Sequence, residues 1–136
     1  MLALANGFSH REDGSGRARI GDFGPDEAEF VSRVARQAYS GYELVGAFRG
    51  ESLVGVMGIR PVHTLVRGPH LHIDDLIAEE TARRGGVGSA LMRFAEADAR
   101  ARGMTAVHLD ARPTAIPFYA AVGYDFHPSP SMRMEL

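Results

Sequence analysis

A glycine-rich turn between a strand and a helix is the feature that most restricts the fold of this chain. Residues 83–89 read Arg-Arg-Gly-Gly-Val-Gly-Ser, after an apolar run from Leu71 to Ala78 and before an amphipathic segment from Val87 to Arg102. Such a turn leaves the first backbone N–H groups of the helix without partners, and the positive end of the helix dipole lies behind them. The turn therefore predicts a phosphate or pyrophosphate site, with two arginines adding charge at its rim. The alternative is a sharp connection that binds no ligand.

Length and composition restrict the class of protein. A chain of 136 residues, 45% of them hydrophobic and 24% charged, is large enough to bury a core, and we expect residues 1–136 to form one domain. The formal net charge of −2 argues against a nucleic-acid partner. The chain has no cysteine, which excludes disulfides, a thiolate nucleophile and cysteine-ligated zinc. With no bilayer-spanning apolar run and no basic secretion signal, we expect a cytoplasmic protein without a membrane partner.

The first half of the chain predicts one helix and one hairpin. Residues 1–22 lack periodicity, so we expect them to be irregular or disordered, and residues 1–24 contain no clear strand. Apolar residues at helical spacing after Pro25 predict a helix that ends at Gly41. Two strand-like runs, Tyr42–Arg49 and Ser52–Arg60, flank Gly50-Glu51 and predict a hairpin. We expect Arg60–Pro69 to be a connection.

The second half of the chain alternates strands and helices. We expect strands at 70–78, 105–110, 124–127 and 132–136, and helices at 87–102 and 114–122. In the first of these helices, the predicted core-facing residues are Val87, Ala90, Leu91, Phe94, Ala97 and Ala101. The order favours a single α/β sandwich.

Two motifs in this half resemble those of the GCN5-related N-acetyltransferase (GNAT) superfamily. The first is Arg-x-x-Gly-x-Gly at Arg83, Gly86 and Gly88, between a strand and a helix. The second is Ala115-Ile-Pro-Phe-Tyr-Ala-Ala-Val-Gly-Tyr124, which is similar to the family's Ala-x-x-Phe-Tyr-x-x-x-Gly-Phe/Tyr motif. The order and separation of the motifs, which together cover 71–124, also agree with the family.

The resemblance implies a GNAT-like α/β fold. Its mixed, mostly antiparallel sheet is flanked by helices and splays open between the 70–78 and 105–110 strands. It further implies that acetyl-CoA binds in that opening as co-substrate, and it makes a homodimer possible. Such proteins begin with a strand and two helices, from which residues 1–24 depart.

The resemblance also assigns residues to the coenzyme. The backbone of the turn is expected to hold the pyrophosphate, with Arg83, Arg84, Gly85, Gly86, Val87, Gly88 and Ser89 as its residues. The edge of the preceding strand at Leu76, Ile77 and Ala78 is expected to pair with the pantetheine amides.

The candidates for catalysis are His72, Asp74 and Tyr119. Side chains alternate along a strand, so His70, His72 and Asp74 are expected to share one face and Asp75 to lie on the other. Asp74 falls where polyamine acetyltransferases of the family carry a glutamate in a Leu-Glu-Asp stretch, and His72 and Asp74 coincide with two histidines of arylalkylamine acetyltransferases. Asp74 is the first choice for the general base and His72 the second. The alternative for Asp74 is a structural ion pair or an exposed position.

Tyr119 lies where the family carries the general acid that protonates the coenzyme A thiolate. The alternative is a core tyrosine whose hydroxyl is hydrogen-bonded. His108 is expected to be structural, and the six histidines show no metal-ligand spacing, so no metal is expected.

These observations predict an N-acetyltransferase that transfers the acetyl group of acetyl-CoA to a primary amine of a small molecule. Because no cysteine is present, the amine is expected to attack the thioester directly. The alternative is a non-catalytic acyl-CoA-binding module, a sensor or a partner subunit of the same fold, which the missing first strand favours.

Overall fold

One mixed sheet organises the protein. The computed structural model describes residues 2–6, 32–33, 35–36, 39, 41–50, 52–78 and 86–136. The strands are β1 (Leu2–Asn6), β2 (Glu43–Arg49), β3 (Ser52–Thr64), β4 (Gly68–Ala78) and β5 (Val107–Leu109), and they lie side by side in chain order. Neighbours from β1 to β4 are antiparallel, whereas β5 is parallel to β4. The predicted mixed, mostly antiparallel sheet is confirmed.

Helices connect and follow the parallel strands. Helix α1 (Val87–Ala101) joins β4 to β5, because a parallel pair needs a crossover connection. A 3₁₀ turn (Pro113–Ala115) and the short helix α2 (Ile116–Ala121) follow β5. Both helices lie where the sequence predicts them.

The expectation that residues 1–24 contain no strand is wrong. Strand β1 pairs with β2 in a register that runs from Leu2 opposite Arg49 to Asn6 opposite Val45. Its alanines have low strand propensity, but the edge of β2 supplies hydrogen-bond partners that propensity does not take into account. The irregularity predicted for the rest of residues 1–22 lies outside the described residues. So does most of the predicted helix before Gly41, of which residues 32–33 and 35–36 are helical.

The β2–β3 hairpin is confirmed, but the predicted connection over 60–69 is wrong. Strand β3 continues to Thr64, which pairs with Gly68 at the start of β4. Pro61 and Pro69 both suggest an interruption, because proline cannot donate to a ladder. They lie instead inside one long hairpin, closed by a turn in which Gly68 has a φ of +69°.

The predicted strands at 124–127 and 132–136 are also wrong. Within the described part of the chain, neither segment pairs with a strand, and β5 spans three residues instead of the six expected. The last residues alternate between apolar and polar side chains, but among the described residues this segment pairs with no strand of the sheet.

The larger part of the core lies between α1 and one face of the sheet. Val45, Ala47, Met57, Ile59, Leu71 and Ile73 contribute from the strands, and Val87, Leu91, Met92, Ala95 and Ala99 from α1. Ala97 and Ala101, predicted to face the core, are exposed. Alanines occur on several sides of α1 itself, so hydrophobicity alone does not determine which of these alanines are buried. Gly55 lets the helix approach closely, since a Cβ there would lie 2.7 Å from Cγ1 of Val87.

The opposite face of the sheet carries a smaller cluster of Tyr42, Leu44, Leu53 and Val56. The phenol of Tyr42 crosses β3 at Gly58, where a Cβ would overlap its ring. Gly58 therefore determines how closely Tyr42 can lie over the sheet.

Substituting Gly58→Ala should lower the free energy of unfolding by about 1–3 kcal/mol, because Tyr42 must move to admit the methyl group. Gly46→Ala is the matched control in the neighbouring strand. There the nearest atoms are the ends of the Phe48 and Leu53 side chains, at 2.9 and 3.1 Å, which can shift more easily. Urea unfolding measures both variants, and equal losses would contradict the role assigned to Tyr42.

Candidate functional site

A β-bulge at Asp74 shapes the centre of the candidate site. Gly58 pairs with Asp75 and Ile59 with Ile73, so Asp74 has no residue opposite it on β3. An inserted residue interrupts the alternation of side chains. Leu71 and Ile73 pack under α1, so His72 between them faces away from the helix. Asp74 contacts His72, and Asp75 contacts Tyr42, which lies on the same face. The prediction that Asp75 points to the opposite face is therefore wrong.

Asp74 lies between an arginine and a histidine. Its Oδ2 accepts a hydrogen bond of 2.7 Å from Nε of Arg60, and its Oδ1 is 3.7 Å from Nε2 of His72. The side chains of His72 and Asp74 are 18% and 19% exposed. Burial lowers the pKa of His72, and the nearby Asp74 carboxylate opposes part of that effect. The imidazole is therefore largely neutral at pH 7, although the charged groups of Asp74 and Arg60 lie close to it.

Asp75 is held by a different partner. The hydroxyl of Tyr42 donates a hydrogen bond of 2.5 Å to its Oδ2. Burial, and then the Asp75 carboxylate, raise the pKa of Tyr42, so the phenol remains a donor. Arg60 and Tyr42 are distant in sequence from the two aspartates, and no local pattern identifies them as partners.

Strands β4 and β5 separate beyond this point. They pair at Leu71 with Val107, His72 with His108 and Ile73 with Leu109. Strand β4 then continues to Ala78, whereas β5 ends at Leu109, so no β5 residue lies opposite the end of β4. The predicted splay between these two strands is confirmed, and it begins at the bulge.

Among the predicted coenzyme-binding residues, Leu76, Ile77 and Ala78 form the end of β4 beside this opening. On their other side they pair with Met57, Val56 and Gly55 of β3. All three are partly exposed, and Leu76 and Ala78 also pack against the core. Their edge toward β5 is the one that faces the splay.

The glycine turn ends at the first residues of α1. Gly86 caps the helix with a φ of +76°, and its carbonyl accepts the first helical hydrogen bond from N of Ala90 at 2.9 Å. The N–H groups of Val87, Gly88 and Ser89 precede that bond, so no carbonyl of α1 accepts from them. Gly86 is exposed, and a Cβ there would meet no atom of the described residues within 4 Å. Arg83, Arg84 and Gly85 lie outside the described residues.

Two of the turn residues have packing roles that the motif does not reveal. The side chain of Val87 is fully buried, so only its backbone can take part in binding. A Cβ on Gly88 would lie 3.1 Å from Cζ of Phe118. Gly88 therefore allows α2 to pack against the first turn of α1.

Tyr119 lies on α2, on the α1 side of the sheet. It packs against the main core, with its ring 5.1 Å from that of Phe118 and 6.2 Å from that of Tyr124. Burial raises its pKa, so the phenol keeps its proton at neutral pH. The structure thus places Tyr119 on one face of the sheet and the pair His72 and Asp74 on the other.

The rings of His70, His108 and His127 pack edge to face. The ring of His108 is 4.6 Å from that of His70 and 5.6 Å from that of His127. His70 is buried, and its Nδ1 lies 3.0 Å from the carbonyl oxygen of Gly68. The part of the chain that the structure describes contains no group of side chains that could hold a metal ion. In the same part, no helix is long and apolar enough to cross a membrane.

Comparison with known proteins places this geometry in a family context. The sequence model of the acetyltransferase (GNAT) family matches residues 15–124. The comparison with curated proteins gives no match.

Solved structures share the fold at low sequence identity. An acetyltransferase from Trypanosoma brucei is 21% identical, with a TM-score of 0.76 and full coverage of both chains. An aminoglycoside acetyltransferase from an uncultured soil metagenomic sample is 15% identical, with a TM-score of 0.70 over 99% of this chain and 96% of that one. Glucosamine-6-phosphate N-acetyltransferase from Arabidopsis thaliana is 17% identical, with a TM-score of 0.66 over 86% and 84%.

We expect the pKa of His72, followed by NMR of its ring protons, to lie below 6.5, because burial disfavours the charged imidazole. Asp74→Asn should lower this pKa further, since it removes a favourable charge, and Arg60→Gln should raise it. Because the pKa of His72 is lower in the folded state than in the unfolded chain, neutral His72 contributes to the stability of the folded protein. This contribution is complete above pH 6.5 and is lost as the pH falls through the folded-state pKa. A pKa at or above 6.5 would contradict the environment described.

Proposed function

The chain belongs to the acetyltransferase (GNAT) family, and we propose that it transfers an acetyl group from acetyl-CoA to a primary amine of a small molecule. The observation that carries the proposal is the splay of β4 from β5 beside the open start of α1. The pairing of β4 with β5 ends at Ile73 and Leu109, and β4 continues to Ala78 paired with β3.

The described residues fit a phosphate-bearing thioester. Three backbone N–H groups at the start of α1, with the helix dipole behind them, suit the pyrophosphate of acetyl-CoA. The edge of β4 at Leu76–Ala78 suits the pantetheine amides, as a peptide pairs with a sheet edge. The coenzyme would supply an acetyl group on a thiolate leaving group, and the chain would supply the positioning.

A thioester in the splay would be accessible from both faces of the sheet. On one face, Tyr119 keeps its proton and can donate it to the departing thiolate. On the other face, His72 or Asp74 can accept a proton from the ammonium form in which an acceptor amine is mostly held at neutral pH, and the neutral amine then has a lone pair for the attack. Since the chain has no cysteine, direct attack by the amine is the simpler route.

The contacts of Asp74 bear on which residue is the base. Its carboxylate already accepts a hydrogen bond from Arg60, whereas His72 is neutral and has its Nε2 near Asp74. We assign proton acceptance to His72 or Asp74, with Arg60 positioning the carboxylate. The Arg60–Asp74 ion pair also keeps the non-catalytic acyl-CoA-binding alternative open, because it is the structural role considered for Asp74. The presence of β1 removes the argument for that alternative from a missing first strand.

Release of free thiol from acetyl-CoA across a panel of amines tests the function. The panel should contain polyamines, arylalkylamines, amino acids and lysine peptides. It should also include aminoglycosides and glucosamine 6-phosphate, after the names of two similar structures. Binding of acetyl-CoA without turnover on any amine would support the non-catalytic alternative.

Tyr119→Phe should lower kcat by about 10²–10⁴, with the Kd for acetyl-CoA changed by less than about twofold, because only proton donation is lost. Tyr124→Phe is the matched control, since its ring lies 6.2 Å from that of Tyr119 and is also half-buried. Equal losses in the two tyrosine variants would contradict the role of Tyr119.

If His72 is the base, His72→Gln removes the acid limb of the kcat/KM profile against pH, and Asp74→Asn moves that limb to lower pH. If Asp74 is the base, Asp74→Asn abolishes turnover.

Gly86→Ala should weaken binding of acetyl-CoA by about tenfold, equivalent to one hydrogen bond to a charged group. An alanine at positive φ is strained and moves the N–H groups at the start of α1. Gly103→Ala at the other end of the helix is the control, because Gly103 has a φ of +75° and equally open surroundings. Binding of S-acetyl-pantetheine, which lacks the pyrophosphate, should be unaffected. Equal weakening of both ligands would contradict a pyrophosphate site.

A further inference from the structure

Imidazole side chains gather on the face of the sheet that carries His72. His108 lies opposite His72 in the pairing of β4 with β5, and its neighbours in β5 pack toward the main core, so His108 also faces away from α1. Its ring lies 4.6 Å from that of His70 and 5.6 Å from that of His127. The guanidinium of Arg67, in the turn between β3 and β4, reaches the same place, with Nη2 3.4 Å from Nδ1 of His127. We call His70, His108, His127 and Arg67 the histidine–arginine group.

The basic side chains of this group have no carboxylate partner. Arg67 is exposed, and among the described residues no ion pair involves it. Burial lowers the pKa of His108, and the basic groups around it, foremost His70 and Arg67, lower that pKa further. The carboxylate of Asp110, beyond the end of β5, accepts a hydrogen bond from the hydroxyl of Ser131 instead. A bound anion would compensate the positive charge that collects around His108.

Two of the imidazoles have ring nitrogens available for a ligand. The N–H of Ser129 donates to Nδ1 of His127 at 3.2 Å, so the neutral ring carries its hydrogen on Nε2 and can donate from there. Within the described part of the chain, neither that Nε2 nor either ring nitrogen of His108 has a hydrogen-bond partner. Both rings line a cavity of about 1250 Å³ beside β5, so a small molecule can reach them. The sequence predicts a structural role for His108, but the structure leaves its nitrogens unpaired among these residues.

We propose that the histidine–arginine group binds an oxyanion of the acceptor, a carboxylate or a phosphate, while the amine of the same molecule lies at His72 and Asp74. This inference rests on the proposed function, because it names the class of acceptor for that reaction. The charges of the face are separated in the way such a molecule requires. Asp74 and Asp75 lie beside the splay, where the amine reacts, and Arg67 lies at the hairpin turn. Arg60, between the two ends, already donates to Asp74.

The separation of the two ends sets the length of the acceptor. His72 and His108 lie opposite each other in neighbouring strands, which are about 4.8 Å apart. The ring of His127 is 5.6 Å from that of His108. An amine at His72 and an oxyanion between the other two rings would thus be roughly 5–10 Å apart. An α-amino acid, in which a single carbon separates the two groups, is too short, so the geometry favours ω-amino acids and amino phosphates with a longer chain.

The first test uses inorganic phosphate as the probe and the histidine ring protons as the readout. In NMR spectra, phosphate should move the ring-proton signals of His108 and His127 and raise the pKa of His108, because a bound anion favours the charged imidazole. These signals report on this group and not on the start of α1. Arg67→Gln should raise the Kd for phosphate by about tenfold, equivalent to one hydrogen bond to a charged group. Arg93→Gln, which removes an exposed cation of α1, should change that Kd by less than about twofold. Ring signals that do not respond to phosphate, or equal effects of the two variants, would overturn the proposal.

The second test compares acceptors that differ only in charge. Release of thiol from acetyl-CoA is measured with glycine, β-alanine, γ-aminobutyrate and ε-aminocaproate, each beside its carboxamide, and with aminoalkyl phosphates of matching length. At the longer lengths, kcat/KM should be about tenfold or more higher for the acid than for its amide. Arg67→Gln should remove this preference and Arg67→Lys should retain most of it. The better of the carboxylate and phosphate series identifies the oxyanion. Equal use of acids and amides at every length would overturn the inference and leave the proposed function intact.

Failure of the proposed function has a different signature. If no amine in either series is acetylated, the proposed function is contradicted, and displacement of phosphate from the ring signals of His108 and His127 still decides the binding site. Displacement by ε-aminocaproate at lower concentration than by caproate, which lacks the amine, would support a site that holds an amine and an oxyanion together. Equal displacement by the two acids, or none, would overturn it.

Discussion

The extra residue at Asp74 is the constraint on which the arrangement of the site depends. Before it, the odd-numbered Leu71 and Ile73 face α1, and after it, the even-numbered Leu76 and Ala78 do. The change of phase keeps both halves of β4 packed on the same core. It also places the carboxylates of Asp74 and Asp75 on the other face, at the level where β5 ceases to pair with β4. The bulge thus sets the position of the polar groups and of the opening together.

Two adjacent carboxylates on a partly buried surface need compensation, because burial disfavours charge and like charges repel. Arg60 compensates Asp74 with an ion pair, and Tyr42 compensates Asp75 with a hydrogen bond. Arg60 belongs to β3 and Tyr42 directly precedes β2, so residues of the neighbouring hairpin supply the groups that stabilise the bulge. Burial holds the pKa of His72 below its ordinary value even beside the negative charge of Asp74. A structural role for Asp74 and a role for it in proton transfer are therefore compatible.

The start of α1 is held in place by two close approaches. Gly55 admits Val87 against the sheet, and Gly88 admits Phe118 of α2 against the helix. The first turn of α1 thus has close contacts on both sides, whereas a Cβ at Gly86 would meet no atom of the described residues within 4 Å. Pre-organised donors of this kind lower the entropic cost of binding, which supports the proposed pyrophosphate site. The glycines of the motif therefore divide between access, at Gly86, and packing, at Gly88.

The sequence by itself determined the glycine turn, the helix that follows it, the β2–β3 hairpin and the Phe118-Tyr119 motif, because each depends on local spacing and backbone freedom. It also contained the change from odd-numbered to even-numbered core residues between Ile73 and Leu76. A model in which side chains alternate strictly along the strand does not take this change into account. Only the tertiary structure decided that Leu2–Asn6 is a strand, that Arg60 and Tyr42 hold the aspartates, and that residues 132–136 have no partner in their own sheet. Those outcomes depend on groups distant in sequence, and pairing energy between such groups is not encoded in any local pattern.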